Sequence, residues 1–158
     1  KDLQLYQKDI EIREDAGTPP ILQFIRASLA YQLRNEIGFD FIKNRKNELK
    51  DCFISELKNI PNCIIYGNQE VENIGIISFN IKGLSPYDLC NNLSSTDNFQ
   101  TRAGCSCAGP YGHDLLGIKE LDINNRPGWV RISIHFSQTK EDIKNLIESI
   151  KKISIYKV

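Results

Sequence analysis

Apolar residues recur along this chain at two spacings, one helical and one extended, and their succession predicts the elements. After Asp15-Ala16-Gly17-Thr18-Pro19-Pro20, the residues Ile21, Phe24, Ile25 and Leu29 follow a helical period. Thr18 is placed to cap that helix through its hydroxyl, with Pro19 at the first helical position, where a missing N–H costs no bond. Gly38 separates it from a second helical stripe, Phe41, Ile42, Leu49, Phe53 and Leu57, which Pro61-Asn62 ends. Two isoleucine-rich runs, 63–66 and 74–81, joined by a polar segment, read as a strand pair. Ser85-Pro86 opens a short helix through Leu89, Cys90 and Leu93.

Residues 103–111 are small and rich in glycine and cysteine, which predicts a loop. Residues 129–136 then alternate, with Val130, Ile132 and Ile134 on one face and Arg131, Ser133 and His135 on the other. A last helix from about Thr139 carries Ile143, Leu146, Ile147, Ile150 and Ile153 on one stripe. Helices and strands mix without a regular βαβ repeat. The expected class is therefore α+β, a small, mostly antiparallel sheet with helices on one face.

Composition narrows the function classes. The 158 residues suffice for one compact domain and are too few for two sizeable cores. A chain that is 41% hydrophobic and 25% charged is an ordinary globular one, and no apolar run approaches the roughly 20 residues of a membrane span. Twenty basic side chains balance twenty acidic ones, and the lysines are scattered, which argues against a nucleic-acid partner. The cysteines at 52, 63, 90, 105 and 107 are odd in number and irregular in spacing, so a cytoplasmic setting fits better than a secreted disulfide framework. The amino terminus resembles neither a signal nor a transit peptide, and the complete lack of methionine suggests an excised piece of something longer.

Chemistry concentrates in Arg102-Ala103-Gly104-Cys105-Ser106-Cys107-Ala108-Gly109-Pro110-Tyr111-Gly112-His113. A thiol in an exposed, glycine-rich loop near arginine and histidine has surroundings that favour nucleophilic attack. Cys52, Cys63 and Cys90 lie in apolar patterns, where cysteine serves as a small hydrophobe. Zinc on Cys105, Cys107 and His113 would need an unusual spacing and lacks a second ligand pair, so no metal is expected. Arg131 reads equally as a solvated edge charge or as a bidentate carboxylate clamp. Gly17-Thr18-Pro19 reads as an ordinary helix cap or as a phosphate site at a helix start.

Three segments in this order resemble the carboxy-terminal small domain of class V aminotransferase-fold enzymes, specifically the cysteine desulfurase and selenocysteine lyase group. They are Glu14-Asp15-Ala16-Gly17-Thr18-Pro19 before a helix, Thr101-Arg102-Ala103-Gly104-Cys105-Ser106-Cys107-Ala108-Gly109-Pro110, and Val130-Arg131-Ile132-Ser133 before the last helix. The resemblance implies the C-terminal domain of a fold type I pyridoxal phosphate enzyme. Residues 1–158 would form that single small domain, with 1–18 a linker from a large cofactor-binding domain.

In that family pyridoxal phosphate activates cysteine or selenocysteine, an enzyme cysteine takes the sulfur or selenium, and alanine leaves. By resemblance the nucleophile is Cys107, Arg131 holds the substrate carboxylate, and Arg102 stands at the foot of the loop. Gly17 and Thr18 would meet the cofactor phosphate of a partner subunit. The implied partners are thus a small amino-acid substrate, a second copy in a homodimer and a sulfur-acceptor protein, with no nucleic acid and no membrane.

Two departures stand out. Related desulfurases carry a histidine pair where this chain has Cys105-Ser106, and the family's His-Lys pair is missing, since His113 precedes Asp114 and His135 precedes Phe136. The isolated chain is therefore expected to be inactive, its Schiff-base lysine belonging to the large domain. Two competing readings are a transaminase or lyase of the same fold with bystander cysteines, and a free-standing Cys-x-Cys thiol or metal-binding module.

Overall fold

The computed structural model describes Leu3 and residues 5–120 and 126–156, which fall into two units, 1–41 and 42–158. The first contains α1 (Ile10–Glu14) and α2 (Ile21–Ile37), neither of which buries a residue. The five-residue helix α1 lies inside the expected linker, and the Asp9 carboxylate caps it by accepting from the Ile12 N–H at 3.2 Å.

The start of α2 differs from the sequence expectation. Its N-cap is Pro20, with no side-chain cap bond, and Thr18 and Pro19 lie before it. A residue preceding proline is pushed out of the helical region, so Pro20 keeps Pro19 extended and delays the helix to Ile21. Its expected apolar stripe forms, with Ile21, Phe24, Ile25 and Leu29 each half or more exposed. Gly38, at φ 90°, ends α2 as expected.

The second unit holds nearly all of α3 (Phe39–Leu57) and the elements β1 (Cys63–Tyr66), β2 (Ile76–Ile81), α4 (Pro86–Asp97), β3 (Arg102–Gly104), α5 (Gly109–Leu115), β4 (Trp129–Ser133) and α6 (Lys140–Tyr156). The four strands form one antiparallel sheet in the order β1-β2-β4-β3. The α+β class with a small antiparallel sheet is thus the observed one.

Alternation along the strands decides which face is covered. Ile77, Phe79 and Ile81 of β2 and Val130 and Ile132 of β4 are buried against Leu49, Phe53 and Leu57 of α3, Leu89 and Leu93 of α4, and Ile143, Ile147 and Ile150 of α6. Phe53 meets Phe79 edge-on, with ring centroids 6.4 Å apart. Helix starts fix the register of this packing. Ser85 Oγ accepts from the Asp88 N–H ahead of Pro86, and Thr139 and Asp142 bond reciprocally at the head of α6. The strand alternation leaves Tyr66, Asn80, Trp129 and Arg131 for the opposite face.

Other boundaries moved too, and strand β4 stops at Ser133, short of the alternating run 129–136. Strand β2 begins at Ile76 because Gly75 turns the chain at φ 88°. The expected loop 103–111 is partly regular, its first residues pairing with β4 as β3 and Gly109-Pro110 opening α5. A three-residue strand is too short to show a period, and proline is well tolerated in a first helical turn.

Candidate active site

The site is built on the edge strand β3 and its neighbour β4. Arg102 pairs with Arg131, Ala103 with Val130 and Gly104 with Trp129. Close approach at the last pair depends on glycine, since a Cβ on Gly128 would lie 2.7 Å from Gly104 Cα. Beyond β3 the chain reverses sharply, with the Ala108 N–H donating to the Cys105 carbonyl at 3.0 Å. Both intervening residues are left-handed, Ser106 at φ 53° and Cys107 at φ 61°. For side-chain-bearing residues that conformation costs roughly 1–2 kcal/mol each, so the surroundings must hold it. One restraint is visible, the Arg131 guanidinium donating from Nη1 to Ser106 Oγ at 3.1 Å.

The two loop thiols are inequivalent. Cys107 is exposed, whereas Cys105 is partly buried and directs its thiol at the Pro127 carbonyl, 3.6 Å away. Helix α5 closes over Cys105 through Gly112, where a Cβ would come within 2.7 Å of Cys105 Cβ. The other thiols have different surroundings. Burial pushes the Cys63 thiol up to about 11 and also raises Cys90. Both pack with Cys52 against the core, as their apolar contexts predicted.

Together these residues border a cleft of about 210 Å³ into which Arg102, Arg126 and Arg131 face alongside Tyr87, Ser106 and Cys107. The Arg126 guanidinium stacks 5.2 Å above the Tyr87 ring, whose hydroxyl donates to the Pro127 carbonyl at 3.2 Å. None of the ion pairs among the described residues includes any of these arginines. Among the described residues the cleft lining holds three permanent positive charges and no carboxylate, which makes it a receptor for anions, and the planar guanidinium suits a carboxylate.

The structure brings the predicted Arg102, Cys107 and Arg131 into one cleft. Gly17 and Thr18 belong to the first unit, where Gly17 has φ 130° and no atom within 4 Å of a Cβ built on it, and Thr18 is exposed. His135 lies past the end of β4, bonded through Nδ1 to Ser137 Oγ at 2.7 Å, and neither it nor His113 lines the cleft. Among the described residues no three metal-ligating side chains converge, and no helix is long and apolar enough to cross a membrane.

Sequence reasoning missed Arg126 and Tyr87. The segment Arg126-Pro127-Gly128 immediately before β4 was the available signal for the first, because its glycine sets the approach to β3. Tyr87 follows the Ser85-Pro86 helix start, and nothing local marks it as part of a cleft.

Pyridoxal phosphate, which the resemblance implies, would find only part of its binding set here. The cleft lining contains neither a lysine for its aldehyde nor a carboxylate for its ring nitrogen. Gly17 and Thr18, which the resemblance assigns to its phosphate, are both exposed.

Comparison with known proteins bears on the family and the fold. The family model Aminotransferase class-V matches residues 2–146. A "Probable cysteine desulfurase" of Staphylococcus aureus is 31% identical over 144 residues, covering 91% of this chain and 32% of that protein. The Staphylococcus epidermidis counterpart is 28% identical with the same coverage. The apo cysteine desulfurase of Thermococcus onnurineus superposes with a TM-score of 0.78 at 25% identity, over 91% of this chain and 34% of that one. An Escherichia coli cysteine desulfurase in an S-sulfonic acid form shares the fold, with a TM-score of 0.77 at 20% identity over 91% of this chain and 33% of that one. The chain spans about a third of the length of the relatives it matches. A family match running almost from end to end, over a fold common to these enzymes, makes the chain a member of the class V aminotransferase family, of the cysteine desulfurase-like kind.

Proposed function

We propose that the chain is the carboxy-terminal part of a pyridoxal phosphate-dependent cysteine desulfurase-like enzyme of the cytoplasm. Residues 1–158 form its small domain, and 1–18 link it to a large cofactor-binding domain. The observation that carries the reading is the exposed thiol of Cys107, held in a left-handed turn at the rim of a cleft that three arginines make anion-binding.

Each residue then has a task. The Arg131 fork takes the carboxylate of cysteine or selenocysteine, and Arg102 adds a second positive charge. Pyridoxal phosphate, when bound, supplies the sink for the electron pair released as the substrate's carbon–sulfur bond breaks. Cys107 Sγ bonds to the departing sulfur and keeps it as a persulfide, while the three-carbon remainder leaves as alanine. Because Cys107 is exposed, it can then pass that sulfur to an acceptor protein. Gly17 and Thr18 meet the cofactor phosphate of a partner subunit, which makes the enzyme a homodimer. Without a lysine in its cleft, the isolated chain is inactive.

The test is alanine release from L-cysteine by the natural full-length protein and its Cys107→Ala variant. Release by the first and none by the second is expected. Undiminished turnover of the enzyme's substrate by the variant would instead indicate a transaminase or lyase in which the thiol is a bystander.

A further inference from the structure

The residue between the two loop cysteines has a distant partner that the sulfur chemistry does not require. Ser106 is exposed, and its Oγ accepts from Arg131 Nη1 at 3.1 Å across 25 positions of sequence. Arg131 sits on β4, which pairs with β2 on one side and β3 on the other, so its backbone is fixed. Ser106 and Cys107 form the left-handed middle of the turn, which retains its own Ala108-to-Cys105 backbone bond. The Arg131–Ser106 bond is therefore a tether between a rigid strand and a strained turn. It runs from the carboxylate clamp to the neighbour of the reactive thiol.

Resting on the reading of Cys107 as the sulfur acceptor, we propose that Ser106 is a positioning residue that couples occupancy of the Arg131 clamp to the pose of the Cys107 thiol. While the clamp is empty, the neutral hydroxyl holds Nη1 and the turn stays tied to β4. An arriving carboxylate is an ionised acceptor and outcompetes a hydroxyl for the guanidinium N–H groups. Its seating frees Ser106, and the turn relaxes from its left-handed conformation with Cys107 released to move toward the substrate. The thiol is thus held back until there is a substrate to attack.

The experiment uses the natural full-length protein with propionate, a carboxylate that carries no sulfur. The alkylation rate of Cys107 by iodoacetamide is read by peptide mass spectrometry with and without that probe. In the wild-type protein saturating propionate raises the rate about fivefold, the equivalent of one ordinary hydrogen bond. Ser106→Ala reacts at the raised rate throughout and ignores propionate. Ser106→Asn regains the response, since asparagine tolerates the left-handed region and offers an acceptor oxygen. Half-buried Cys63, its thiol pushed up to about 11, stays slow in every variant, which separates a freed turn from an unfolded protein. A Ser106→Ala protein that responds to propionate as the wild type does overturns the proposal, as does a wild-type protein that ignores propionate. Because alkylation needs no turnover, a failure to make alanine and persulfide from cysteine would overturn the desulfurase reading while leaving these rates to decide the coupling separately.

Discussion

Arg102 and Arg131 stand directly opposite each other across β3 and β4, two permanent positive charges in register. Like charges so placed weaken a sheet by about 0.2–1 kcal/mol, and among the described residues no ion pair relieves them. The pair therefore costs stability, as expected of charges kept for the proposed ligand. Arg102→Gln leaves the urea midpoint unchanged or slightly raised, while kcat/KM for cysteine in the full-length enzyme falls roughly tenfold to a hundredfold, the worth of a charged hydrogen bond. A loss of stability with unchanged kinetics would assign Arg102 to the fold instead.

Gly128→Ala tests the seam that closes the cleft. The added Cβ lands 2.7 Å from Gly104 Cα, and backbone cannot move aside as a side chain can. A loss of about 1–3 kcal/mol is expected by urea denaturation, with faster hydrogen exchange in 102–104 and intact protection in α6. Unaltered exchange at β3 would show that the two strands do not depend on this approach.

Cysteine reactivity separates the thiols by environment. Burial raises Cys63 to about 11, so at mild alkaline pH it stays protonated and slow toward iodoacetamide. Exposed Cys107 is alkylated first in the native protein, and Cys63 reacts freely only after unfolding in urea. Equal rates at the two positions in native protein would contradict the packing described for β1.

Acid should loosen the second unit through its carboxylates. The Lys140 ammonium, and after it Arg45, hold Glu48 below its ordinary value of 4.5, and Thr139 lowers Asp142 through its backbone N–H and hydroxyl. A carboxyl group depressed in the folded state stabilises it above the unfolded value, and that contribution disappears as pH falls through the folded value. Thermal midpoints should therefore be flat from neutral pH down to the ordinary carboxylate range and drop below it. Lys140→Ala should flatten the drop, and an unchanged acid limb would remove Glu48 from this account.

Much of the fold was legible because its signals are local and repeated. Ser85-Pro86 marked α4, alternation across 129–136 put Val130, Ile132 and Ile134 inside, and the isoleucines of α6 fell on the buried stripe. Thr18 misled because a cap depends on the residues after it, and Pro20 moved the helix start beyond its reach. Cys107, Arg102 and Arg131 were found as motif positions. Their convergence came from strand pairing, which residue spacing does not encode. Arg126 and Tyr87 stayed hidden for the same reason, being 39 residues apart in sequence and joined by a ring stack.

Whether Cys107 carries the sulfur decides the proposed function. The most direct measurement is peptide mass spectrometry on the full-length protein after incubation with L-cysteine and blocking of free thiols. One additional sulfur atom is expected on the peptide bearing Cys107, formed alongside alanine and absent in Cys107→Ala. Alanine formed with no sulfur at Cys107, or with all of it on Cys105, would contradict it.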